Sequence, residues 1–183
     1  LNFLIPRKGK NIVFSSLWNN YPDEVSIPIA PKAKSYNSAY LMLAGTTNNM
    51  QSRIDNALIM AEYEDGSIDT LHLENPINWP TINEAYVFDD YAFWSAPIMP
   101  LRFRFDNGKV GRHINAKELL STIPSNHDDK EKKIGEDNHY AIEKGAGVIL
   151  KMPLNPTSRI RGIRIKTLSN DIVVGLMAVT LER

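Results

Sequence analysis

Residues 57–73 constrain the fold of this chain more than any other stretch. Their sequence, ALIMAEYEDGSIDTLHL, contains two apolar-rich runs on either side of Asp65-Gly66. Asp-Gly between such runs is among the strongest short-range signals for a β-hairpin, because a tight type I′ turn needs positive φ at both central residues. The second run alternates apolar and polar residues, with a slip near its end. We therefore predict an antiparallel sheet, with Gly66 at positive φ in a two-residue turn.

Seven other stretches have the composition of short strands and are separated by turn-forming residues. Pro28 suggests that the second stretch lies at a sheet edge or ends there, and the third is apolar on both faces, which is typical of a central strand. With the hairpin, about eight or nine strands and little helix predict an all-β protein, a two-layer antiparallel β-sandwich. The seven stretches are residues 11–15, 24–29, 38–44, 101–105, 147–154, 159–167 and 172–181.

Three other segments are not predicted to be strands. Residues 115–123 could form two turns of helix, with Asn115 as N-cap and Glu118 as its capping-box partner. Residues 126–138 are highly charged, which indicates a solvated loop, with an acidic cation site as the alternative. Residues 74–100 show no clear strand pattern and carry two of the three tryptophans, so this connection is a candidate functional surface.

Composition limits the classes of partner. The 183 residues are enough for one domain, so we predict a single β-sandwich over residues 1–183. Lysine plus arginine equal aspartate plus glutamate at 21 each, which gives no electrostatic reason to bind nucleic acid or an anionic membrane. Cysteine is absent, which excludes disulfides and thiolate metal sites, and no apolar run approaches the length of a membrane span. Since the chain starts at Leu1 without a methionine, we expect it to be a fragment of a larger multidomain protein or a processed protein.

The predicted core comes from the most apolar strands, and the arginines near residue 160 fit one of these strands. Arg159, Arg161 and Arg164 alternate with isoleucines, which is the pattern of a strand with one solvated face. The residues predicted to be mainly buried are Tyr40, Met42, Ile59, Ala61, Ile149, Ile163, Ile165, Val174, Leu176 and Ala178.

Three blocks of sequence together resemble a known family. They are residues 18–29 (WNNYPDEVSIPI), residues 39–51 (AYLMLAGTTNNMQ) with Tyr63 and Asp65-Gly66 after them, and residues 163–180 (IRIKTLSNDIVVGLMAVT). These blocks resemble a galactose-binding-like jelly-roll domain of the type attached to glycan-degrading proteins of gut Bacteroidetes, in a family of undefined function.

The resemblance implies a non-catalytic accessory domain of a secreted, extracytoplasmic protein, either periplasmic or at the cell surface. Its partner would be carbohydrate or a neighbouring catalytic domain of the same chain. A purely structural support module beside a glycoside hydrolase domain is the alternative function. An intrinsic glycoside hydrolase is a third.

Catalytic patterns are weak in this chain. Glycoside hydrolysis needs two carboxyl groups that flank the scissile bond, whereas Asp89 and Asp90 are adjacent and would point to opposite faces of a strand. Only a loop could bring either residue near Glu84 or Asp55. The four histidines show no HxH or HExxH spacing, and His72 is expected to face solvent from a strand. We therefore predict that the chain is not an enzyme, with no catalytic and no metal-ligating residues.

Carbohydrate binding requires exposed aromatic rings and planar polar side chains, and two segments concentrate both types. The alternative for each tryptophan is a structural plug at an open end of the sandwich. The candidate carbohydrate-binding residues are Trp18, Asn19, Asn20, Trp79, Asp89, Asp90, Tyr91, Trp94 and Arg102.

The polar stretch at residues 46–53 lies between two strong strands. In domains that the sequence resembles, such loops shape a ligand site or hold a calcium ion through backbone oxygens. Calcium prefers six to eight oxygen ligands, usually with carboxylates among them, and only Asp55 is near. We therefore predict no cofactor, with a structural calcium ion as the alternative.

Overall fold

The structure is a computed structural model, and it describes residues 2–4, 8–30, 35–48, 51–83, 100–112 and 144–183. The described residues form ten strands and no α-helix, so no described helix is long and apolar enough to cross a membrane. The strands are β1 (Val13–Ser16), β2 (Glu24–Pro28), β3 (Ser38–Thr46), β4 (Asp55–Tyr63), β5 (Ile68–Glu74), β6 (Leu101–Arg104), β7 (Val110–Arg112), β8 (Ala146–Pro153), β9 (Ile160–Thr167) and β10 (Val173–Glu182).

The strands form two antiparallel sheets that pack against each other. One sheet has six strands in the order β1-β10-β3-β8-β6-β7, and the other has four in the order β2-β9-β4-β5. Contacts join β1 to β2 and β9, β10 to β9, and β5 to β8. The four-stranded sheet therefore faces β1, β10, β3 and β8, and β6 and β7 continue beyond it. The predicted all-β, two-layer architecture is confirmed, whereas the jelly-roll connectivity stays a prediction.

All nine predicted strands are present, with ends that differ by no more than about two residues in most cases, the usual uncertainty of strand boundaries. As predicted, β2 is an edge strand and β3 is central. Strand β7 was not predicted, because three residues are too few to show alternation. The predicted helix at residues 115–123 and the charged loop at residues 126–138 lie outside the described residues.

The β4–β5 hairpin confirms one part of its prediction and contradicts another. Gly66 has a φ of 85°, as predicted. The N–H of Tyr63 donates to the Ser67 carbonyl at 3.1 Å, which leaves three loop residues, so the prediction of two is wrong. Within the loop, the Gly66 N–H donates to the Tyr63 carbonyl at 3.1 Å, and Asp65 Oδ1 accepts from the Ser67 N–H at 2.9 Å. A turn followed by glycine in the left-handed region is the usual three-residue hairpin loop.

The main core lies between the sheets, and a second apolar cluster lies on the outer face of the six-stranded sheet. Eight of the ten predicted core residues are buried, whereas Tyr40 and Ala178 are only half-buried, so the prediction is wrong for these two. Met42 and Ile149 are buried in the outer cluster with Phe103, rather than between the sheets. Strands β3 and β8 are apolar on both faces, which is why they supply residues to both clusters.

The outer face of the four-stranded sheet is charged instead. Arg164 lies between two carboxylates, with Nη1 at 3.1 Å from Glu24 Oε1 and Nε at 3.0 Å from Glu62 Oε1. The predicted arginine and isoleucine pattern of β9 is confirmed, because Ile160, Ile163 and Ile165 are all buried. Arg161 is the extra residue of a bulge opposite Glu62 and Tyr63, which keeps Ile160 on the core side.

Candidate functional site

The connection between β1 and β2 is held at its base by two buried serines. The Ser16 N–H donates to the Pro22 carbonyl at 2.9 Å, and its hydroxyl donates to the Ile172 carbonyl at 2.7 Å. The Ser15 hydroxyl lies 2.6 Å from Thr167 Oγ1 and donates to the Asp23 carbonyl. Both serines are fully buried, so their hydroxyls fix the loop against β9 and β10.

A tight turn forms the tip of this loop. The Tyr21 N–H donates to the Trp18 carbonyl at 2.9 Å, which makes Asn19 and Asn20 the central residues of a β-turn. Both asparagines are exposed, as is Leu17 before the turn. The turn therefore presents two amide side chains between two aromatic residues.

Three aromatic rings, which we call the aromatic cluster, gather at this end of the sandwich: Phe14, Trp18 and Tyr21. Their exposed fractions are 37%, 48% and 43%. The Tyr21 ring centroid lies 6.3 Å from that of Phe14 and 6.3 Å from that of Trp18. Neighbouring rings that stay half-exposed are a typical feature of binding surfaces.

Phe14 owes its position to a glycine on the neighbouring strand. Phe14 pairs with Gly175 of β10, and a Cβ at Gly175 would lie 2.9 Å from Phe14 Cε1. The missing side chain lets the ring lie against the sheet. Sequence reasoning missed Phe14, although its place on a short strand close to the WNNY turn was a usable signal.

Of the predicted residues in the other segment, only Trp79 is described, and it lies outside this cluster. Trp79 is 0% exposed and belongs to the main core, so its ring cannot contact a ligand in this conformation. The prediction of Trp79 as a ligand platform is therefore wrong, and its alternative role as a buried plug fits. Asp89, Asp90, Tyr91 and Trp94 lie outside the described residues, and their part in a site stays a prediction.

Arg102 is also buried, with 1% of its surface exposed. Its Nε donates to the Gly147 carbonyl at 3.1 Å, and its Nη2 donates to the carbonyls of Thr81 and Ala146 at 2.9 and 2.8 Å. These carbonyls compensate the cost of burying the charge and tie residue 81 to β8. Arg102 is thus a structural residue, and the prediction that it contacts sugar hydroxyls is wrong.

A polar network joins the β4–β5 hairpin to the turn between β8 and β9. Asp69 Oδ2 accepts from the Tyr63 hydroxyl at 2.5 Å and from the Asn155 N–H at 2.7 Å. Burial, followed by the hydrogen bond to Asp69, raises the pKa of Tyr63 above its ordinary value. The Ser158 hydroxyl donates to Asp65, and this bond, followed by those from Ser67, lowers the pKa of Asp65 to about 2. These bonds occupy the donors and acceptors internally, as in a structural network.

Other titratable side chains in the described part of the chain form pairs on the surface. As predicted, His72 faces solvent, and its Nδ1 lies 2.9 Å from Asp55 Oδ2. Glu182 accepts from the Ser38 hydroxyl at 2.7 Å and from Lys151 Nζ at 3.0 Å, and these bonds lower its pKa. Glu84, Asp89 and Asp90 lie outside the described residues, so the hydrolase alternative stays untested.

Metal-binding side chains do not cluster in the described part of the chain, where no group of three or more histidine, cysteine, aspartate or glutamate residues converges. In the loop predicted as a calcium alternative, the Thr47 hydroxyl donates to Asn56 Oδ1 at 2.6 Å. Asn56 in turn donates to the carbonyls of Gln51 and Ile54. The calcium alternative therefore depends on backbone oxygens and stays a prediction.

The chain matches no protein-family model, no curated protein and no solved structure. The resemblance to galactose-binding-like domains therefore stays a prediction, and the two-sheet fold and the aromatic cluster carry the functional argument.

Proposed function

We propose that this chain is a non-catalytic accessory domain of an extracytoplasmic glycan-processing protein, and that it binds carbohydrate at the aromatic cluster. One observation carries the proposal: the half-exposed rings of Trp18 and Tyr21 flank the exposed amides of Asn19 and Asn20. Sugar rings have apolar C–H faces that pack on aromatic rings and hydroxyl groups that bond to planar amides. The cluster offers both kinds of contact within one turn.

The loop is also well held, which favours binding. Hydroxyl bonds of Ser15 and Ser16 fix its base to Thr167 of β9 and to the carbonyls of Asp23 and Ile172, which directly precede β2 and β10, so little loop ordering is needed when a ligand binds. We expect weak affinity nonetheless, since hydrogen bonds to exposed sugar hydroxyls mostly replace equal bonds to water.

The experiment is affinity electrophoresis and calorimetric titration against a polysaccharide panel, with the wild type, Trp18→Ala and Phe105→Ala. Phe105 is the matched control because its ring is similarly exposed, at 40%. It directly follows β6, which lies near the edge of the six-stranded sheet opposite β1. We expect Trp18→Ala to weaken binding by about tenfold or more, as for other aromatic anchors. Phe105→Ala should bind like the wild type. Equal binding by all three proteins, or by none, would contradict the proposal.

A structural support module is the second candidate, and the outer face of the six-stranded sheet favours it. Leu101, Phe105 and Val110 are all exposed there, beside the outer apolar cluster of Met42 and its neighbours. Exposed apolar groups of this kind are common where domains meet.

This candidate is tested in a protein that contains both this chain and its adjoining domain. If the face packs on a neighbour, the two domains should unfold in one calorimetric transition, and Val110→Glu should separate it into two. Ile68→Glu is the control, because Ile68 is equally exposed on the other sheet. Two separate unfolding transitions in the wild type would show that this face does not pack on the adjoining domain and would contradict a supporting role for it.

A further inference from the structure

The aromatic cluster lies in a stretch without charge. From residue 11 to residue 22 the sequence contains no lysine, arginine, aspartate or glutamate. The first charged residue after the turn is Asp23, which is exposed, and Asp171 is adjacent to Ile172, whose carbonyl holds Ser16. Lys166 adjoins Thr167, whose hydroxyl contacts Ser15, but its Nζ lies 3.7 Å from Glu24 Oε2. Among the described residues next to the loop and its hydrogen-bond partners, the balance of charge is therefore acidic.

This charge pattern matters for glycans that carry carboxylate or sulfate groups. Recognition of such groups normally uses arginine or lysine, because charge-assisted hydrogen bonds to anions are the strong ones. Here the loop itself offers no basic side chain to an anionic sugar, and the exposed Asp23 beside the turn would repel such a sugar within a Debye length of about 8 Å at physiological salt. An uncharged sugar meets no such penalty.

The ring planes restrict the physical form of the ligand. The planes of Tyr21 and Phe14 differ by 68°, and those of Tyr21 and Trp18 differ by 55°. A crystalline polysaccharide is flat and packs best on several coplanar rings. Inclined rings cannot all lie against one flat surface, whereas a single chain can turn successive sugar units toward them.

We infer that the aromatic cluster takes uncharged glycans as single, hydrated chains or oligosaccharides, in preference to acidic polysaccharides or crystalline fibres. This inference rests on the proposed function and adds the class of ligand to it.

The experiment compares three groups of glycan: soluble neutral polysaccharides with their oligosaccharides, acidic polysaccharides with uronate or sulfate groups, and crystalline cellulose and chitin. Wild type and Trp18→Ala are titrated against the soluble glycans and assayed by pull-down on the fibres. We expect binding to a neutral soluble glycan, with an affinity that Trp18→Ala lowers by about tenfold or more. This affinity should stay within about twofold between low and high salt, because no ion pair contributes to it.

The variant Asp23→Lys tests the effect of charge on binding separately from the effect of ring stacking. The Asp23 backbone carbonyl accepts the bonds from Ser15 and Thr167, so the substitution leaves these contacts in place. We expect it to increase the affinity for acidic glycans and to leave the affinity for neutral glycans within about twofold.

The possible failures are distinguishable. Trp18-dependent binding to acidic or crystalline glycans without binding to neutral soluble ones would overturn this inference and leave the proposed function standing. Absence of Trp18-dependent binding to every glycan would overturn the proposed function and this inference together.

Discussion

At the scale of the residue, three strand glycines each lie under an aromatic ring. At each position, a Cβ would lie within 3 Å of a ring carbon, so the glycine is what allows the ring to approach the sheet. One pair builds the main core, one builds the outer apolar cluster and one positions the aromatic cluster. The pairs are Gly45 with Trp79, Gly147 with Phe103, and Gly175 with Phe14.

Gly147→Ala tests this arrangement. A Cβ at Gly147 would lie 2.4 Å from the Leu43 carbonyl oxygen, which is backbone of the paired strand and cannot rotate away. We expect the free energy of unfolding to fall by about 1–3 kcal/mol, as for other overpacked sites. The control is Gly111→Ala, where no atom lies within 4 Å of the new Cβ and the change should stay within about 0.5 kcal/mol. Chemical denaturation measures both, and equal values would contradict the packing argument.

Trp18 and Trp79 show how far single residues could be predicted. Trp18 precedes Asn19 and Trp79 follows Asn78, so the local sequence of both predicts an aromatic platform for a ligand. Trp79 became a core residue because Gly45, more than thirty residues away, leaves room for its ring. Such a contact between distant residues has no local signal in the sequence. Arg102 was misplaced for the same reason, since its carbonyl partners lie on β8 and at residue 81.

At the scale of the element, strands were predicted well and loops less well. Alternation and turn residues are local, which is why nine strands were found with small errors at their ends. The hairpin loop gained a third residue because Asp65 accepts a bond from the Ser67 N–H, a side-chain contact that the Asp-Gly signal does not specify. The hairpin is also linked to the β8–β9 turn through Ser158.

The link between Asp65 and Ser158 should make stability depend on acid pH. The pKa of Asp65 is about 2 in the folded protein, against an ordinary value of 3.8. Because the folded pKa is the lower one, this contribution is fully present above pH 3.8 and is lost as the pH falls toward 2. Asp65→Asn should therefore be less stable than wild type at neutral pH, and the difference should shrink between pH 3.8 and 2. Urea unfolding at several pH values measures this difference.

Ser158→Ala is the companion variant for this prediction. Removing the hydroxyl removes the largest cause of the low pKa, so the Asp65 carboxyl should titrate closer to 3.8 by NMR. An unchanged Asp65 pKa in this variant would show that Ser158 does not stabilise the carboxylate.

At the scale of the whole molecule, the two sheets differ in width and in the character of their outer faces. The four-stranded sheet is charged outside, with Arg164 between Glu24 and Glu62, whereas the six-stranded sheet carries a second apolar cluster. Strands β3, β4, β5, β8, β9 and β10 nevertheless share one buried core between the sheets, in which Leu176 of β10 is 5% exposed.

Leu176→Ala should destabilise the whole fold. Deleting a buried leucine side chain removes its transfer free energy and leaves a cavity, so we expect a loss of about 2–5 kcal/mol in the free energy of unfolding. Leu168→Ala is the control, because Leu168 is exposed and should lose less than about 0.5 kcal/mol. Thermal and urea unfolding measure both variants. A loss below about 0.5 kcal/mol for Leu176→Ala would mean that this side chain is not packed in the core.

The greater width of the six-stranded sheet has a consequence for local opening. Strands β6 and β7 lie beyond the four-stranded sheet, so they can separate from β8 without exposing the core between the sheets. Segments of this kind open in sub-global steps that need less free energy than complete unfolding. Native-state hydrogen exchange should therefore show the Phe105 amide, which bonds to the Gly145 carbonyl just before β8, exchanging well before the amides of β3 and β9. Exchange at one common rate would mean that the outer hairpin opens only with the whole molecule.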